Sequence, residues 1–202
     1  MAIGFVNNEL IKIFLFIVLP IILFIMFLKS VLSNMKTNII DIAITLLGVV
    51  YVSFFFSFIV FICHLEKGNY YIWYVLGGAW LTDTFAYFIG SKLGKHKFSK
   101  ISANKSIEGC IGGLIGCVLF YFGYTYYLNS IGLELNLIAM TVLGVFISMI
   151  SQIGDIAASS IKRYCEVKDF GHIMPGHGGA LDRFDSVIMI APVIYMLFQF
   201  VI

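Results

Sequence analysis

Residues 159–185 gather side chains that could carry chemistry, in a chain that is otherwise strongly apolar. Its charged residues include Lys162, Arg163, Lys168, Asp169, Asp182, Arg183 and Asp185, and it also holds two histidines. Charged groups beside hydrocarbon are costly, so such a concentration indicates a functional site. A solvated loop between membrane helices is the alternative, but it has no need of the glycine-rich turn at residues 175–179. His177 in that turn could bind a phosphate or a metal-bound water, or it could only bond to backbone.

The helix that leads into this segment is predicted to carry polar groups along one face. They recur every three or four residues, as Gln152, Asp155, Ser159 and Lys162. If the following loop folds back, this face meets Asp182 and Asp185. Two or three carboxylates beside phosphate-binding cations describe a site for a hard divalent ion. Magnesium fits such a site, because it takes one or two carboxylates with phosphate and water oxygens, whereas zinc prefers thiols and imidazoles.

A second polar stretch begins at Asp83, about four turns into an apolar segment. A lone carboxylate inside a membrane indicates a functional residue by default, and a structural aspartate with a capping or pairing role is the alternative. Asp83 and Tyr87 are four residues apart, so they share a helix face. Of the five lysines that follow we single out Lys105, because its run, residues 102–109, leads into a glycine-rich helix start. The retention of basic loops in the cytoplasm explains the other four.

The composition identifies the class of protein in which these groups act. Of the 202 residues, 60% are hydrophobic and 12% are charged, against about 25% charged in soluble domains. This composition indicates a polytopic membrane protein. The four cysteines show no pairing rhythm and no C-x-x-C spacing, so we interpret them as buried or interfacial thiols, not as a disulfide framework or a zinc site.

Six apolar stretches reach or approach the roughly 20 residues that cross a bilayer core. They are residues 11–28, 39–62, 70–89, 110–128, 135–158 and 187–202. The predicted fold is therefore all-α, a polytopic transmembrane helical bundle with about six spans. We divide it into N-terminal membrane helices (1–69) and a catalytic membrane domain (70–202). Glycines at the start of the fourth stretch predict a close approach to another helix.

Lysine and arginine fall in alternate loops of this arrangement. All but two of the 13 basic residues lie after the first, third or fifth span. Because short basic loops stay in the cytoplasm, we expect the polar site at the cytoplasmic face and both ends of the chain outside.

Residues 159–185 resemble the signature of the phosphatidate cytidylyltransferase (CDP-diacylglycerol synthase) family. The residues that carry the resemblance are Ser159, Ile161, Lys162, Arg163, Lys168, Asp169, Gly171, Pro175, His177, Gly178, Gly179, Asp182, Arg183 and Asp185. The segments around Asp83, Lys105 and Asp155 are similar to other segments of that family. The sequence departs from the family pattern at Met174, Ala180 and Ala103, the last at a position where proline is usual, and it is shorter than typical members.

The resemblance implies transfer of CMP from CTP to phosphatidate, with release of pyrophosphate and formation of CDP-diacylglycerol. It implies that Asp155 and Asp182 hold Mg²⁺, and a second metal ion is compatible with it. The implied catalytic residues are Asp83, Lys105, Lys162, Arg163, Lys168 and Asp185. The implied substrate-binding residues are Ser159, Gly176, His177, Gly178, Gly179 and Arg183. In this interpretation the glycines let backbone N–H groups approach the phosphates of the nucleotide, and the cations neutralise charge.

The expected partners are CTP, phosphatidate and the bilayer, with no nucleic acid, and a homodimer is compatible with the sequence. The expected location is a bacterial inner (plasma) membrane. A CTP-dependent polyprenol or phytol kinase and an ether-lipid cytidylyltransferase stay open, because they would share the metal site. A transporter with Asp83 and Asp155 as a proton or cation relay is a distant alternative. Such a relay should lie near mid-membrane, whereas these polar groups concentrate at one interface.

Overall fold

The protein folds as a bundle of helices. The computed structural model describes residues 12–33, 38–98, 105–171 and 179–200. Within these ranges the only pairing of β type is an isolated antiparallel bridge between Lys97 and Ser106. The predicted all-α fold class is confirmed.

Seven α-helices follow one another along the described parts of the chain. They are α1 (Leu19–Leu32), α2 (Ile39–Gly48), α3 (Phe55–Cys63), α4 (Gly68–Leu93), α5 (Ile107–Ser130), α6 (Leu137–Tyr164) and α7 (Asp185–Phe200). A π-helical turn, Phe14–Val18, precedes α1, and a second π-helical segment, Val49–Phe54, joins α2 to α3 without a break. A short 3-10 turn, Leu181–Arg183, precedes α7.

Each predicted span overlaps one of these helical stretches. The ends differ by up to six residues, most at the end of α6, which was predicted at 158 and lies at Tyr164. Three stretches are long and apolar enough to cross a membrane: Ile39–Cys63, Ile107–Ser130 and Leu137–Tyr164. Two further apolar helices, Phe16–Leu32 and Asp185–Gln199, are shorter. The helix α4 is long enough at 26 residues but carries polar side chains, among them Asp83. The protein is therefore a helical membrane bundle.

Side-chain caps define where two of the helices begin. The Oδ1 atom of Asn38 accepts a hydrogen bond from the Asp41 N–H, and Asp41 Oδ2 accepts one from the Asn38 N–H, each at 2.9 Å. This reciprocal capping box satisfies two N–H groups that the first turn of α2 leaves unpaired. At the start of α5, Ser106 Oγ accepts a hydrogen bond of 3.1 Å from the Gly109 N–H. The Ser106 cap begins α5 directly after Lys105.

Helices α4 and α5 approach closely because glycines line their contact. A Cβ atom built on Gly109 would lie 2.7 Å from the carbonyl oxygen of Ala86, and one on Gly113 would lie 2.7 Å from that of Thr82. Any side chain at either position would push the helices apart, since real Cβ contacts are not this short. The predicted close approach is confirmed, and it brings the N-terminal end of α5 beside Asp83 on α4.

Aromatic side chains join α3 to α7. The ring centroids of Phe58 and Tyr195 are 5.4 Å apart in an edge-on contact, a favoured geometry for aromatic pairs. Phe56 makes a similar contact with Phe184, at 5.8 Å. Phe184 immediately precedes α7, so the contact supports the start of that helix. The division of the chain at residue 69 stays a prediction.

Candidate active site

The loop between α4 and α5 is anchored on both sides of its undescribed part. The antiparallel bridge between Lys97 and Ser106 pairs the first part of the loop with its last part. Glu108, in the first turn of α5, lies 2.7 Å from His96 Nδ1 through Oε1. The other carboxylate oxygen, Oε2, accepts a hydrogen bond of 3.3 Å from the His96 N–H. These contacts hold the chain on either side of Lys105 and so limit where its ammonium group can reach.

Lys105 forms an ion pair with Asp155 of α6. Its Nζ atom lies 2.5 Å from Asp155 Oδ2 and donates a second hydrogen bond, of 3.4 Å, to the carbonyl oxygen of Gln152. The side chains of the pair are 18% and 28% exposed, so water screens their attraction only in part. The pair lies in a cavity of about 240 Å³, whose lining includes Asp83, Tyr87, Lys105, Cys110, Gln152 and Asp155.

Three carboxylates from three helices act on one another around this pair. Asp83 is on α4, Asp155 on α6 and Asp185 at the first position of α7, and their charges are close enough to interact. Ser186 Oγ donates a hydrogen bond of 3.4 Å to Asp83 Oδ2, which links α7 to α4. Like charges at short range need a cation to remain ionised together. Lys105 supplies one positive charge to this group.

A second ion pair joins Lys162, near the end of α6, to Asp182. Nζ of Lys162 donates to Asp182 Oδ1 at 2.7 Å, and the two side chains are 12% and 9% exposed. The other oxygen, Oδ2, accepts hydrogen bonds from the N–H groups of Phe170 and Gly179, both at 2.9 Å. The loop therefore folds back onto α6 as the sequence predicted. The charge of Lys162 also acts on Asp185, which connects the two ion pairs.

The pKa of Asp182 reflects these contacts. Desolvation by burial raises the pKa of its carboxyl, but the hydrogen bonds from Lys162 and from two backbone amides outweigh that effect. The net result is a pKa below the ordinary value for aspartate. Asp182 is thus held as a carboxylate that organises the loop.

Gly179 is buried where the loop closes. A Cβ atom at this position would lie 2.7 Å from the backbone nitrogen of Gly171 and 3.2 Å from Asp182 Oδ2. Glycine is therefore required for the two ends of the loop to meet. The predicted phosphate-binding residues Gly176, His177 and Gly178 lie outside the described residues.

The remaining predicted residues surround the second pair. Ser159 is half-buried on α6, one turn before Lys162, and Arg163, Lys168 and Arg183 are exposed. The structure brings Asp83, Lys105, Asp155 and Asp185 into one group and Lys162, Asp182 and Gly179 into another. In the described ranges no three His, Cys, Asp or Glu side chains are grouped so that they could hold a metal ion by themselves.

Comparison with known proteins then decides the family. A family model described as the cytidylyltransferase family matches residues 1–201. The chain belongs to the cytidylyltransferase family. The match covers both ion pairs and the cavity of this cytidylyltransferase-family chain, and it confirms the family resemblance that the sequence motifs indicated.

Curated relatives share a common name. The phosphatidate cytidylyltransferase of Staphylococcus haemolyticus is 39% identical over 175 residues, which are 86% of this chain and 65% of that protein. The protein of the same name from Staphylococcus aureus is 40% identical over 177 residues, with the same two shares. That of Staphylococcus epidermidis is 38% identical over 175 residues. The chain thus spans 65% of the length of the curated relatives that it matches.

Two features of the site were missed by the sequence reasoning. Ser186, which bonds to Asp83, is a serine directly after an aspartate at a helix start, and that position was a usable signal. The contact between His96 and Glu108 gave a weaker signal, because residues twelve apart have no fixed spacing in a loop.

Proposed function

We propose that this chain transfers CMP from CTP to phosphatidate, releasing pyrophosphate and leaving CDP-diacylglycerol in the membrane. The names of the staphylococcal relatives support this activity. The observation that carries the proposal is the meeting of Lys105, Asp83 and Asp155 in one cavity of an apolar helical bundle. Cations and carboxylates in such a place suit a reaction between two phosphate compounds, one of which is a lipid.

In the proposed reaction, one bond forms and one bond breaks at the same phosphorus atom. An oxygen of the phosphatidate phosphate attacks the α-phosphorus of CTP, and the bond to the oxygen that bridges to the β-phosphate breaks. Pyrophosphate leaves with that electron pair. A phosphate monoester with a second pKa of about 6 is largely dianionic near pH 7, so the nucleophile needs no general base. The barrier is mainly the repulsion between two polyanions, which positioned charges can lower.

The cations of the chain are proposed to neutralise that repulsion. Lys105 and Lys162 are held in place by carboxylates and are mostly shielded from water, where a positive charge acts more strongly on a phosphate. Arg163, Lys168 and Arg183 are exposed, and they lie within the same segment of the sequence as the second pair. The planar fork of arginine suits bidentate phosphate contacts. We assign them to the polyphosphate of the nucleotide.

The carboxylates fit a magnesium ion by the chemistry of their donor atoms. Mg²⁺ takes one or two carboxylates and completes its shell with water and phosphate oxygens, so it needs no closed protein cage. We propose Asp155 and Asp182 as its ligands, with Asp83 and Asp185 beside Asp155 for a second ion. When bound, the ion would neutralise phosphate charge. Asp155 and Asp182 are each paired with a lysine in this structure, and that lysine could turn to a phosphate instead.

The proposal includes a site at the cytoplasmic face of a bacterial inner membrane. The alternation of basic loops along the sequence supports this orientation. A homodimer is a further proposal, which cross-linking in native membranes would test.

The activity is tested with the purified full chain in detergent and two forms of labelled CTP. With phosphatidate as acceptor, label at the α-phosphate should enter the lipid fraction, while label at the γ-phosphate should leave as pyrophosphate. Transfer of the γ-label to a polyprenol would identify a CTP-dependent kinase and contradict the proposal. Omission of phosphatidate is the control for hydrolysis.

Metal dependence is tested with the same assay. EDTA should stop the reaction and Mg²⁺ or Mn²⁺ should restore it. Asp155→Asn should abolish turnover while the protein still inserts and purifies, because the amide cannot hold a cation as a carboxylate does. Near-wild-type rates at saturating Mg²⁺ would remove Asp155 from the metal site.

A further inference from the structure

Tyr51 has a buried hydroxyl group with no hydrogen-bond partner among the described residues. The residue is only 9% exposed and lies within the apolar stretch Ile39–Cys63. An unpaired hydroxyl in such a place is unfavourable, because neither water nor lipid tails can satisfy it. Native proteins keep few of these groups, and a functional role is one reason to keep one.

The stretch that carries Tyr51 packs against the start of α7, where Asp185 lies. The charges of Asp185 and Asp155 both act on the Tyr51 hydroxyl, although neither carboxylate forms a hydrogen bond with it. The aromatic contact of Phe56 with Phe184, at 5.8 Å, holds this helix against the start of α7. Tyr51 therefore adds a donor from a fourth part of the chain to a group otherwise built by α4, α6 and α7.

The backbone at Tyr51 is also unusual. Tyr51 lies in the π-helical segment Val49–Phe54, between α2 and α3. Segments of π-helix are uncommon and occur frequently at functional sites. The extra residue in the turn shifts the side chains before and after it relative to each other. The shift therefore affects which way Tyr51 faces relative to the side chains of α2 and α3.

We propose that the Tyr51 hydroxyl donates a hydrogen bond to the phosphate group of the lipid acceptor. The proposal rests on the proposed function and names one residue that recognises the acceptor. A phenolic hydroxyl is protonated at neutral pH and can donate to an anion. The carboxylates of the candidate site carry the same sign of charge as a phosphate. The phosphate must therefore bind together with cations. Tyr51 would then contact the phosphate from the side of the membrane helices.

The position of the helix favours the lipid over the nucleotide as the source of that phosphate. On either side of Tyr51 the same helical stretch exposes apolar side chains, with Leu47 and Val60 at 55% and 50% exposure. Such side chains suit contact with acyl chains. Lys105 and Lys162, by contrast, come from a loop and from a helix end, where a soluble triphosphate can arrive. The lipid phosphate must come from the bilayer side, and Tyr51 belongs to a stretch whose exposed side chains face that side.

The test compares Tyr51→Phe with Tyr195→Phe, a matched control. Tyr195 is another buried tyrosine, 2% exposed, at the contact of α3 with α7. We expect Tyr51→Phe to raise the KM for phosphatidate by roughly tenfold or more, as for loss of a hydrogen bond to a charged group. Its KM for CTP should stay within about twofold, and its Tm should be unchanged or higher, because no hydrogen bond is lost in the free protein. Tyr195→Phe should keep both KM values.

Binding without turnover separates this inference from the proposed function. In the absence of CTP, dioleoyl phosphatidate in mixed micelles should raise the Tm of the wild type more than that of Tyr51→Phe. Diacylglycerol, which lacks the phosphate, should affect both proteins equally. A wild type that binds phosphatidate through Tyr51 but forms no CDP-diacylglycerol would refute the activity and retain the inference.

Three outcomes would overturn the assignment of Tyr51. Unchanged kinetics and binding in Tyr51→Phe would remove it from the site. A raised KM for CTP with an unchanged KM for phosphatidate would give its hydrogen bond to the nucleotide. A lowered Tm with an equal loss of activity in both variants would show that the hydroxyls act only in packing.

Discussion

At the scale of single residues, the site is organised by two lysine–aspartate pairs that connect distant parts of the chain. Lys105 reaches Asp155 across 50 positions of sequence, and Lys162 reaches Asp182 across 20. Removing one partner of a shielded pair leaves the other charge uncompensated, which is more damaging than the loss of the attraction alone. The lysines are therefore predicted to matter for both charge balance and substrate binding.

Lys105→Met should lower kcat/KM by about a hundredfold to a thousandfold, or about 2.7–4 kcal/mol, the range seen when one stabilising contact to a developing charge is removed. The methionine keeps most of the apolar stem but leaves Asp155 without its ion-pair partner and removes a cation that acts on Asp83 and Asp185. Steady-state kinetics in detergent would measure the change. Lys92→Met, at an exposed lysine of α4, should retain activity, and equal losses in both variants would indicate a general effect of charge.

We predict that protonation of Asp182 at acidic pH weakens the docking of its loop. Its pKa is lowered in the folded protein, so its contribution to stability is complete above the ordinary aspartate pKa of about 3.9 and disappears as pH falls through the folded value. Tm should therefore drop below about pH 4 in the wild type. Asp182→Asn should start from a lower Tm and lose less of it on acidification. A parallel decline in both proteins would show that other carboxyls dominate.

At the scale of helices, the glycine-lined contact between α4 and α5 determines the width of the cavity. Gly109 and Gly113 bring α5 against backbone carbonyls of α4. Asp83 lies on α4, and Lys105 precedes α5. A small separation of the helices would move these two side chains apart, so packing and catalysis should be affected together.

Gly109→Ala should destabilise the protein by about 1–3 kcal/mol, the usual cost of forcing extra atoms into a packed contact. Gly123→Ala is the matched control, because a Cβ atom at Gly123 on the same helix meets nothing within 4 Å. That variant should be neutral, or more stable by up to about 1 kcal/mol through helix propensity. Thermal unfolding in detergent compares the two. Equal stability of both variants would contradict the close contact.

At the scale of the whole molecule, the two ion pairs can form one site only if the loops that carry them face the same side of the membrane. One pair depends on the loop before α5, and the other on the loop between α6 and α7. The alternation of basic residues predicts that both loops are cytoplasmic. The charges of Lys105, from the first loop, and of Lys162, beside the second, both act on Asp185, which agrees with the two loops lying on one side.

Single cysteines near Lys97 and near Lys168 should be labelled by a membrane-impermeant thiol reagent only from the cytoplasmic side. The background should lack the four native thiols, Cys63, Cys110, Cys117 and Cys165. Right-side-out and inverted vesicles provide the two directions of access. Labelling of one position from outside would separate the halves of the site and contradict the six-span arrangement.

The sequence by itself determined the helical membrane fold, the positions of the spans and most of the candidate residues. Partition into a bilayer depends on the apolar content of each stretch, and helical periodicity depends on residues only three or four apart, so both can be recognised locally. The family motif likewise lies within one continuous segment, which is why Lys162, Asp182 and Gly179 were found before the structure.

Only the tertiary structure decided which of these residues meet. The pairing of Lys105 with Asp155 depends on how closely α4, α5 and α6 pack, and a sequence does not display the distance between helices. Tyr51 shows the limit most clearly, because one tyrosine in an apolar helix is indistinguishable from a core residue by composition or spacing. Its significance comes from a buried, unpaired hydroxyl on which the charges of Asp155 and Asp185 act, a relation that exists only after the chain has folded.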